Sequence, residues 1–283
     1  MNKSVKKFKI DSKDLENFYI KNGYLLVGNI FNSKFINKLS KFFISSVKNK
    51  KKKIKDYHDL SNQIMDGFEN NKLYEELIFQ KKLKDLMIKF LGKDLCVLNY
   101  TALWINTPTN KNPVLNKNNH VDAWTGTGIN TIFLKVFLTD CDKYNGMSVY
   151  PGTHLHGLYP VRNRSLDLPN GIKLEDKINL YNVKKGDILI WHPLLVRSTT
   201  GQSNKNTRIS LTLRYTSTES EFTSQERALG YKSISVGVNN IIKRYIGNDG
   251  LQPFRVYGGK ASIDKRLSRL YNADYFNKIV KKI

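Results

Sequence analysis

A histidine and an aspartate stand two positions apart in the segment NNHVDAW, as His120 and Asp122. Residues i and i+2 of a β-strand share one face, so both side chains can reach the same ion. A neutral imidazole and a carboxylate together suit Fe(II), Mn(II) or Zn(II). Such a pair also arises often by chance, so the rest of the chain must show whether it belongs to a metal site.

Three further segments follow the pair in a distinctive order. NGMSVYPGTHLHG spans residues 145–157, KKGDILIWHPLL spans 184–195 and RISLTLRY spans 208–215. The order resembles the phytanoyl-CoA dioxygenase family of Fe(II)- and 2-oxoglutarate-dependent oxygenases. That family has His-x-Asp, a Pro-Gly-Ser/Thr-His turn, a Gly-Asp strand ending in His-Pro-Leu-Leu-x-His, and then an arginine. ENFYIKNGYLLVGNIF resembles its N-terminal segment, so the resemblance spans residues 11–216.

The resemblance implies roles for individual residues. His120 and Asp122 match the first two ligands of a 2-His-1-carboxylate iron site. Arg208 matches the arginine that holds the far carboxylate of 2-oxoglutarate, a task that suits a planar guanidinium. Thr199 falls where the family often has a small hydroxyl residue that contacts the same cosubstrate. The implied cofactors are Fe(II) and 2-oxoglutarate.

The chain departs from the family at one ligand. It has HPLLVRSTTGQ where the family has His-Pro-Leu-Leu-x-His, so Arg197 stands at the position of the second histidine. A guanidinium has no acceptor atom and keeps its proton in proteins, so it cannot ligate iron. Its fixed positive charge also repels a divalent cation. If Arg197 faces the iron position, it is better suited to a substrate carboxylate, phosphate or sulfate.

Three interpretations of the site stay open. In the first, the His-x-Asp pair and 2-oxoglutarate hold iron, and water or substrate fills the missing position. In the second, iron is lost and the pocket binds an organic anion through Arg197, Arg208 and Lys135. In the third, His192 or another group completes the triad; for His192 this requires a bulge, because an odd offset turns a strand residue to the opposite face.

Lys135 interrupts the otherwise apolar segment IFLKVFL. On the inner side of a barrel this lysine needs an anionic partner, which 2-oxoglutarate or a substrate could supply. On the outer side it would reach solvent. The sequence leaves both orientations open.

Hydrophobic periodicity divides the chain into three parts. Residues 1–94 predict a mainly helical layer, with a Gly-bounded strand in NGYLLVGNIF and one amphipathic helix over 72–91. Residues 95–216 contain short β-rich runs that predict an antiparallel sandwich or barrel of about eight strands. With the resemblance, this predicts a mainly β (α+β) fold with a double-stranded β-helix (jelly-roll, cupin-like) core flanked by N-terminal helices. Residues 217–283 form a C-terminal extension, and 1–283 a single oxygenase-like domain.

Composition restricts the partners. Lys+Arg number 47 against 24 Asp+Glu, a net charge of +23. The basic residues are spread along the whole chain, which favours a small anionic substrate over nucleic acid. Two cysteines, no secretory signal and no apolar run of membrane length predict a cytoplasmic protein without a membrane span. The predicted function is hydroxylation of an anionic small molecule, with a metal-free anion-binding homologue as the alternative.

Overall fold

A computed structural model of the chain describes residues 5–28, 30–51, 56–106, 119–123, 127–141, 146–162, 165–168, 174, 176–181, 183–199 and 207–237. The strands are β1 (Lys7–Phe8), β2 (Tyr24–Val27), β3 (Leu95–Leu98), β4 (Ala102–Asn106), β5 (Ile132–Phe137), β6 (Met147–Val149), β7 (Val161–Arg162), β8 (Ser165–Leu166), β9 (Ile178–Leu180), β10 (Ile188–Trp191), β11 (Arg197–Thr199), β12 (Arg208–Ser217) and β13 (Tyr231–Ser233). The helices are α1 (Leu15–Asn22), α2 (Ser33–Lys50), α3 (Tyr57–Glu69), α4 (Lys72–Ile78), α5 (Lys81–Leu91) and α6 (Ser224–Leu229), with a 3₁₀ helix over Thr153–His156.

The strands form a large and a small sheet that are almost entirely antiparallel. The large sheet has the order β1-β2-β10-β5-β12-β3-β13, and β4 also pairs with β12. Among the described strands, β1 and β2 are the one pair that is parallel. The small sheet has the order β11-β6-β9, and β7 pairs with β8 separately. The long strand β12 therefore lies at the centre, with β5 on one side and β3 and β4 on the other.

Alternation along the central strands creates two buried layers. Ile188 and Ile190 of β10 pack in the core cluster that holds the N-terminal helices. The alternate residues of β10 pack with residues of the small sheet; they are Leu189 and Trp191. Because successive side chains point to opposite faces of a strand, the large sheet separates the helical layer from an interior that the small sheet covers.

The helical layer departs from the sequence prediction in two ways. The predicted single helix over 72–91 is wrong, because the chain turns out of helical geometry at Gln80 and forms α4 and α5. The predicted strand in NGYLLVGNIF is confirmed as β2, but it lies inside the large sheet, beside β10. The C-terminal extension adds α6 and β13, and its residues after Gly237 lie outside the described part. No helix of that part is long and apolar enough to cross a bilayer.

Candidate functional site

The inner face of β12 is polar although it is buried. All ten residues of β12 are buried, and Ile209, Leu211 and Leu213 belong to the core on the helical side. The alternate residues therefore point to the interior; they are Arg208, Ser210, Thr212 and Arg214. Sequence reasoning missed Thr212 and Arg214. The alternation of polar and apolar residues in RISLTLRY was the available signal, since polar side chains are rarely buried without a purpose.

Backbone pairing brings Arg197 beside the His-x-Asp pair. The His120 amide donates to the Arg197 carbonyl, and the Arg197 amide donates to the His120 carbonyl, both at 2.9 Å. The Asp122 amide donates to the Pro193 carbonyl at 2.8 Å. These bonds tie the start of β11 to the segment that carries His120 and Asp122. Position 197 therefore lies beside the two residues that the sequence predicts as metal ligands.

Arg197 forms a bidentate ion pair with Asp122. Its Nε donates to Oδ2 and its Nη2 to Oδ1, each at 2.7 Å. Trp191 Nε1 also donates to Oδ2 at 2.7 Å, and the Arg197 guanidinium lies 4.9 Å from the centre of the Trp191 ring. Arg197 is 8% exposed and Asp122 6%. The pair is therefore a desolvated, charge-assisted contact with fixed geometry.

The environment keeps Asp122 ionised. Burial alone would raise the pKa of this carboxyl. The charge and hydrogen bonds of Arg197, with smaller contributions from His120 and Trp191, outweigh burial and hold the pKa of Asp122 well below its usual range. The carboxylate is therefore negative at neutral pH, and the arginine neutralises it.

The residues as arranged do not fit a family-type iron site. Both Asp122 oxygens accept hydrogen bonds from the cation that replaces the third ligand. Within the described residues, the one group of three metal-ligating side chains close enough to share an ion is the exposed set Asp56, His58 and Asp59. A buried fixed cation against the carboxylate disfavours a divalent ion there. The sequence predicted the loss of the third ligand, but not that Arg197 would bind Asp122 itself.

Lys135 faces the interior, which decides between its two predicted orientations. It is 4% exposed on β5, and its Nζ lies 5.4 Å from the Trp104 ring centre and 5.8 Å from that of Trp191. Burial first, then the charges of Arg208 and Arg197, lower the pKa of Lys135 well below its ordinary value. The Lys135 amine therefore lies in the interior, near the guanidinium groups of Arg208 and Arg197.

Arg208 is placed as the resemblance implies, deep in the interior. It is 1% exposed, and its Nη1 donates to the Gly146 carbonyl at 2.7 Å. Thr199 lies at the end of β11, opposite Met147 of β6. Arg214 projects from the same face of β12 as Arg208, with its guanidinium 3.9 Å from the Tyr100 ring centre. A role for Arg208 and Thr199 in binding a cosubstrate remains a prediction.

His192 is engaged away from the His-x-Asp pair. Its Nδ1 accepts from the Leu194 amide at 3.1 Å, and its ring centre lies 5.3 Å from that of His154. It lines a surface cleft with Tyr19 and Ile20 of α1. His154 in turn contacts the Ile20 carbonyl of α1 through Nε2 at 2.9 Å. The structure supplies no support for His192 as a third metal ligand.

The position of His192 predicts a pH-dependent stability. Burial, and then the neighbouring His154, lower the pKa of His192 from 6.5 to about 4. The folded state thus binds this proton more weakly than the unfolded state, so stability is lost as pH falls from 6.5 towards 4. We expect His192→Gln to flatten that loss in urea denaturation across the same pH range. A slope for His192→Gln that equals the wild-type slope would contradict the prediction.

Solved structures of similar fold come from non-haem enzymes. The alpha-ketoglutarate-dependent epimerase SnoN from nogalamycin biosynthesis is 15% identical, over 73% of this chain and 80% of its own, with a TM-score of 0.57. The non-haem monooxygenase ThoJ, in apo form, is 15% identical over 95% and 100%, with a TM-score of 0.59. The carbocyclase SnoK is 16% identical over 85% and 94%, with a TM-score of 0.54. These likenesses confirm the predicted α+β class with a double-stranded β-helix core and flanking helices.

The class defined by this fold is the 2-oxoglutarate-dependent, non-haem iron type. The phytanoyl-CoA dioxygenase family model matches residues 19–210, more than half of the chain, and the chain belongs to that family. The predicted resemblance is thus confirmed. The family uses Fe(II) and 2-oxoglutarate, so the predicted cofactors are confirmed for the family. No protein with a curated description matches the chain.

Proposed function

We propose that this chain uses the family's pocket to bind a small organic anion bearing a carboxylate, without iron held by His120 and Asp122. The ion pair between Arg197 and Asp122 carries the proposal, because it engages the oxygens that would ligate the metal. In this proposal the chain keeps the family's pocket around the pair, and Asp122 binds an arginine in place of a metal ion.

The charge of the interior supports an anionic ligand. Lys135, Arg197 and Arg208 are all buried, and Asp122 binds Arg197. A carboxylate that enters this basic interior would gain charge-assisted hydrogen bonds. 2-Oxoglutarate is the first anion to test, since a solved structure of SnoN holds alpha ketoglutarate. Two cysteines in 283 residues are too few for a disulfide framework, which supports the cytoplasmic location that we propose.

Fe(II)- and 2-oxoglutarate-dependent hydroxylation of an anionic small molecule is the second candidate function. His120 and Asp122 are both buried at the family's ligand positions, and Arg208 is buried on the inner face of β12, which favours this candidate. It requires Arg197 to leave Asp122 when iron binds. The two candidates therefore differ in one measurable property, the affinity of the wild-type protein for Fe(II).

Metal titration separates the two candidates. Wild-type protein and Arg197→His are titrated with Fe(II) under anaerobic conditions by calorimetry, with and without 2-oxoglutarate. We expect the wild type to bind 2-oxoglutarate equally well with or without Fe(II), and to bind no stoichiometric iron. Arg197→His restores a nitrogen donor and removes the competing cation, so its Fe(II) affinity should rise at least about tenfold, or ~1.4 kcal/mol.

Arg208→Gln tests the anion site in the same titrations. Removing one partner of a buried charge pair typically costs about 2–5 kcal/mol, so 2-oxoglutarate should bind at least ~30-fold more weakly. Lys38→Met, at an exposed position on α2, should leave its affinity unchanged. Stoichiometric Fe(II) in the wild type, with succinate released once oxygen is admitted, would overturn the proposal in favour of hydroxylation.

A further inference from the structure

Lys135 is a basic side chain buried in the interior, near Arg208 and Arg197. Its Nζ has no carboxylate of the described residues within ion-pair distance. Asp122 is the carboxylate that attracts it, and Arg197 already binds both oxygens of that group. Within the described part of the chain, the lysine is therefore buried near like charges and forms no ion pair.

Burial and the charges of two arginines favour the uncharged amine of Lys135, against the attraction that two tryptophan rings exert on an ammonium. Trp104 and Trp191 flank Nζ, and the register places the lysine between Thr212 of β12 and Leu189 of β10. Burial, Arg208 and Arg197 together lower the pKa of Lys135, so a larger share of the amine is unprotonated at neutral pH than for a surface lysine. Desolvation beside another cation is a known means of making lysine nucleophilic.

The neighbouring arginine supplies an anchor for a carboxylate. Arg208 projects into the same interior from β12, and its charge is close enough to depress the pKa of Lys135. A planar guanidinium binds a carboxylate with defined geometry. A ligand that carries both a carboxylate and a carbonyl group would present the carbonyl carbon to the amine while the arginine holds the carboxylate.

We infer that Lys135 is a nucleophile that forms a Schiff base with an oxo acid bound in this pocket. This inference rests on the proposed anion pocket and adds covalent chemistry to it. It assigns the site a class of ligand, aldehydes and ketones that bear a carboxylate, and it requires neither metal nor oxygen.

The step balances without an oxidant or reductant. The Nζ lone pair attacks the carbonyl carbon, a C–N bond forms, and the C=O π electrons move to oxygen, which takes up a proton. One proton leaves nitrogen to solvent, giving a carbinolamine. The C–O bond then breaks, the oxygen leaves as water with a second proton, and the C=N bond forms. The sum is one amine and one carbonyl giving one imine and one water.

Borohydride trapping tests the inference. Wild-type protein is incubated with 2-oxoglutarate or pyruvate near neutral pH, reduced with sodium borohydride, and analysed by intact mass and peptide mapping. We expect one reduced adduct per chain, on Lys135. Lys135→Arg, which keeps the charge, and Lys135→Met, which keeps the length, should both lose it. Arg208→Gln should require at least about tenfold more pyruvate for equal trapping, as a loss of ~1.4 kcal/mol in carboxylate binding predicts.

Two results would overturn the inference, and they differ in whether the proposed anion pocket is overturned as well. If calorimetry shows 2-oxoglutarate binding but Lys135 is trapped no more than the partly exposed Lys7, the covalent step is wrong and the anion pocket stands. If neither binding nor trapping occurs, the proposed function is wrong as well. Thermal unfolding of each variant verifies that lost trapping does not reflect lost folding.

Discussion

Arg197→Ala is expected to lower the free energy of unfolding by about 3–5 kcal/mol, the usual cost of breaking a buried ion pair from one side. The variant leaves Asp122 as a buried carboxylate with the Trp191 indole as its remaining strong donor among the contacts described above. Asp122→Asn should be similarly costly, because it leaves Arg197 uncompensated beside Lys135 and Arg208. Urea denaturation at neutral pH measures both changes.

The double variant Asp122→Asn with Arg197→Met should be far less destabilised than the sum of the single variants, because no isolated buried charge remains. The exposed pair between Lys38 and Glu76, with an N–O distance of 3.2 Å, is the matched control. Lys38→Met should cost less than about 1 kcal/mol. If Arg197→Ala costs no more than Lys38→Met, the interior ion pair does not form in solution.

The same pair has a defined pH dependence. The pKa of Asp122 is lower in the folded state than in the unfolded chain, where an aspartate titrates near ~3.9. Its contribution to stability is therefore complete above that value and is lost as pH falls through it towards the lower folded pKa. Asp122→Asn should show a shallower loss of stability in acid than the wild type does.

Lys135→Met is expected to raise the free energy of unfolding, in contrast to most buried substitutions. Methionine has a similar length and needs no charge partner, and replacing buried charges by apolar groups of similar volume has stabilised other proteins by about 1–4 kcal/mol. Lys7→Met is the control, and it should lower the free energy of unfolding, since Lys7 Nζ pairs with Asp187 at 2.6 Å. If both substitutions destabilise equally, Lys135 has an anionic partner in the folded protein.

The stabilisation by Lys135→Met should shrink as pH rises. Burial has the largest effect on the pKa of Lys135 and lowers it. The charges of Arg208 and Arg197 lower it further, whereas Asp122 and Cys141 raise it. Because the folded pKa is depressed, the wild type gains stability as pH rises from that value towards the ordinary 10.5. Denaturation of both proteins at neutral pH and near pH ~9 therefore gives a smaller difference at the higher pH.

Local sequence patterns correctly predicted several elements, and they failed where tertiary packing sets the boundary between two elements. The glycines that bound the apolar run YLLV predicted β2, and the β-rich composition of RISLTLRY predicted β12. The apolar pattern over 72–91 runs through the junction at Phe79 and Gln80, so it could not show that two helices meet there. The break places Phe79 at the surface, half exposed.

The sequence by itself determined the family, and it predicted that Arg197 stands where the family has its second histidine ligand. The order of the motifs placed His120, Asp122 and Arg208, and the chemistry of a guanidinium excludes Arg197 as a metal ligand in any fold. Only the tertiary structure decided which groups Arg197 and Lys135 contact. Arg197 binds Asp122 across 75 positions of the chain, and Lys135 turns inward. Both outcomes follow from strand pairings between distant segments, which no local spacing encodes.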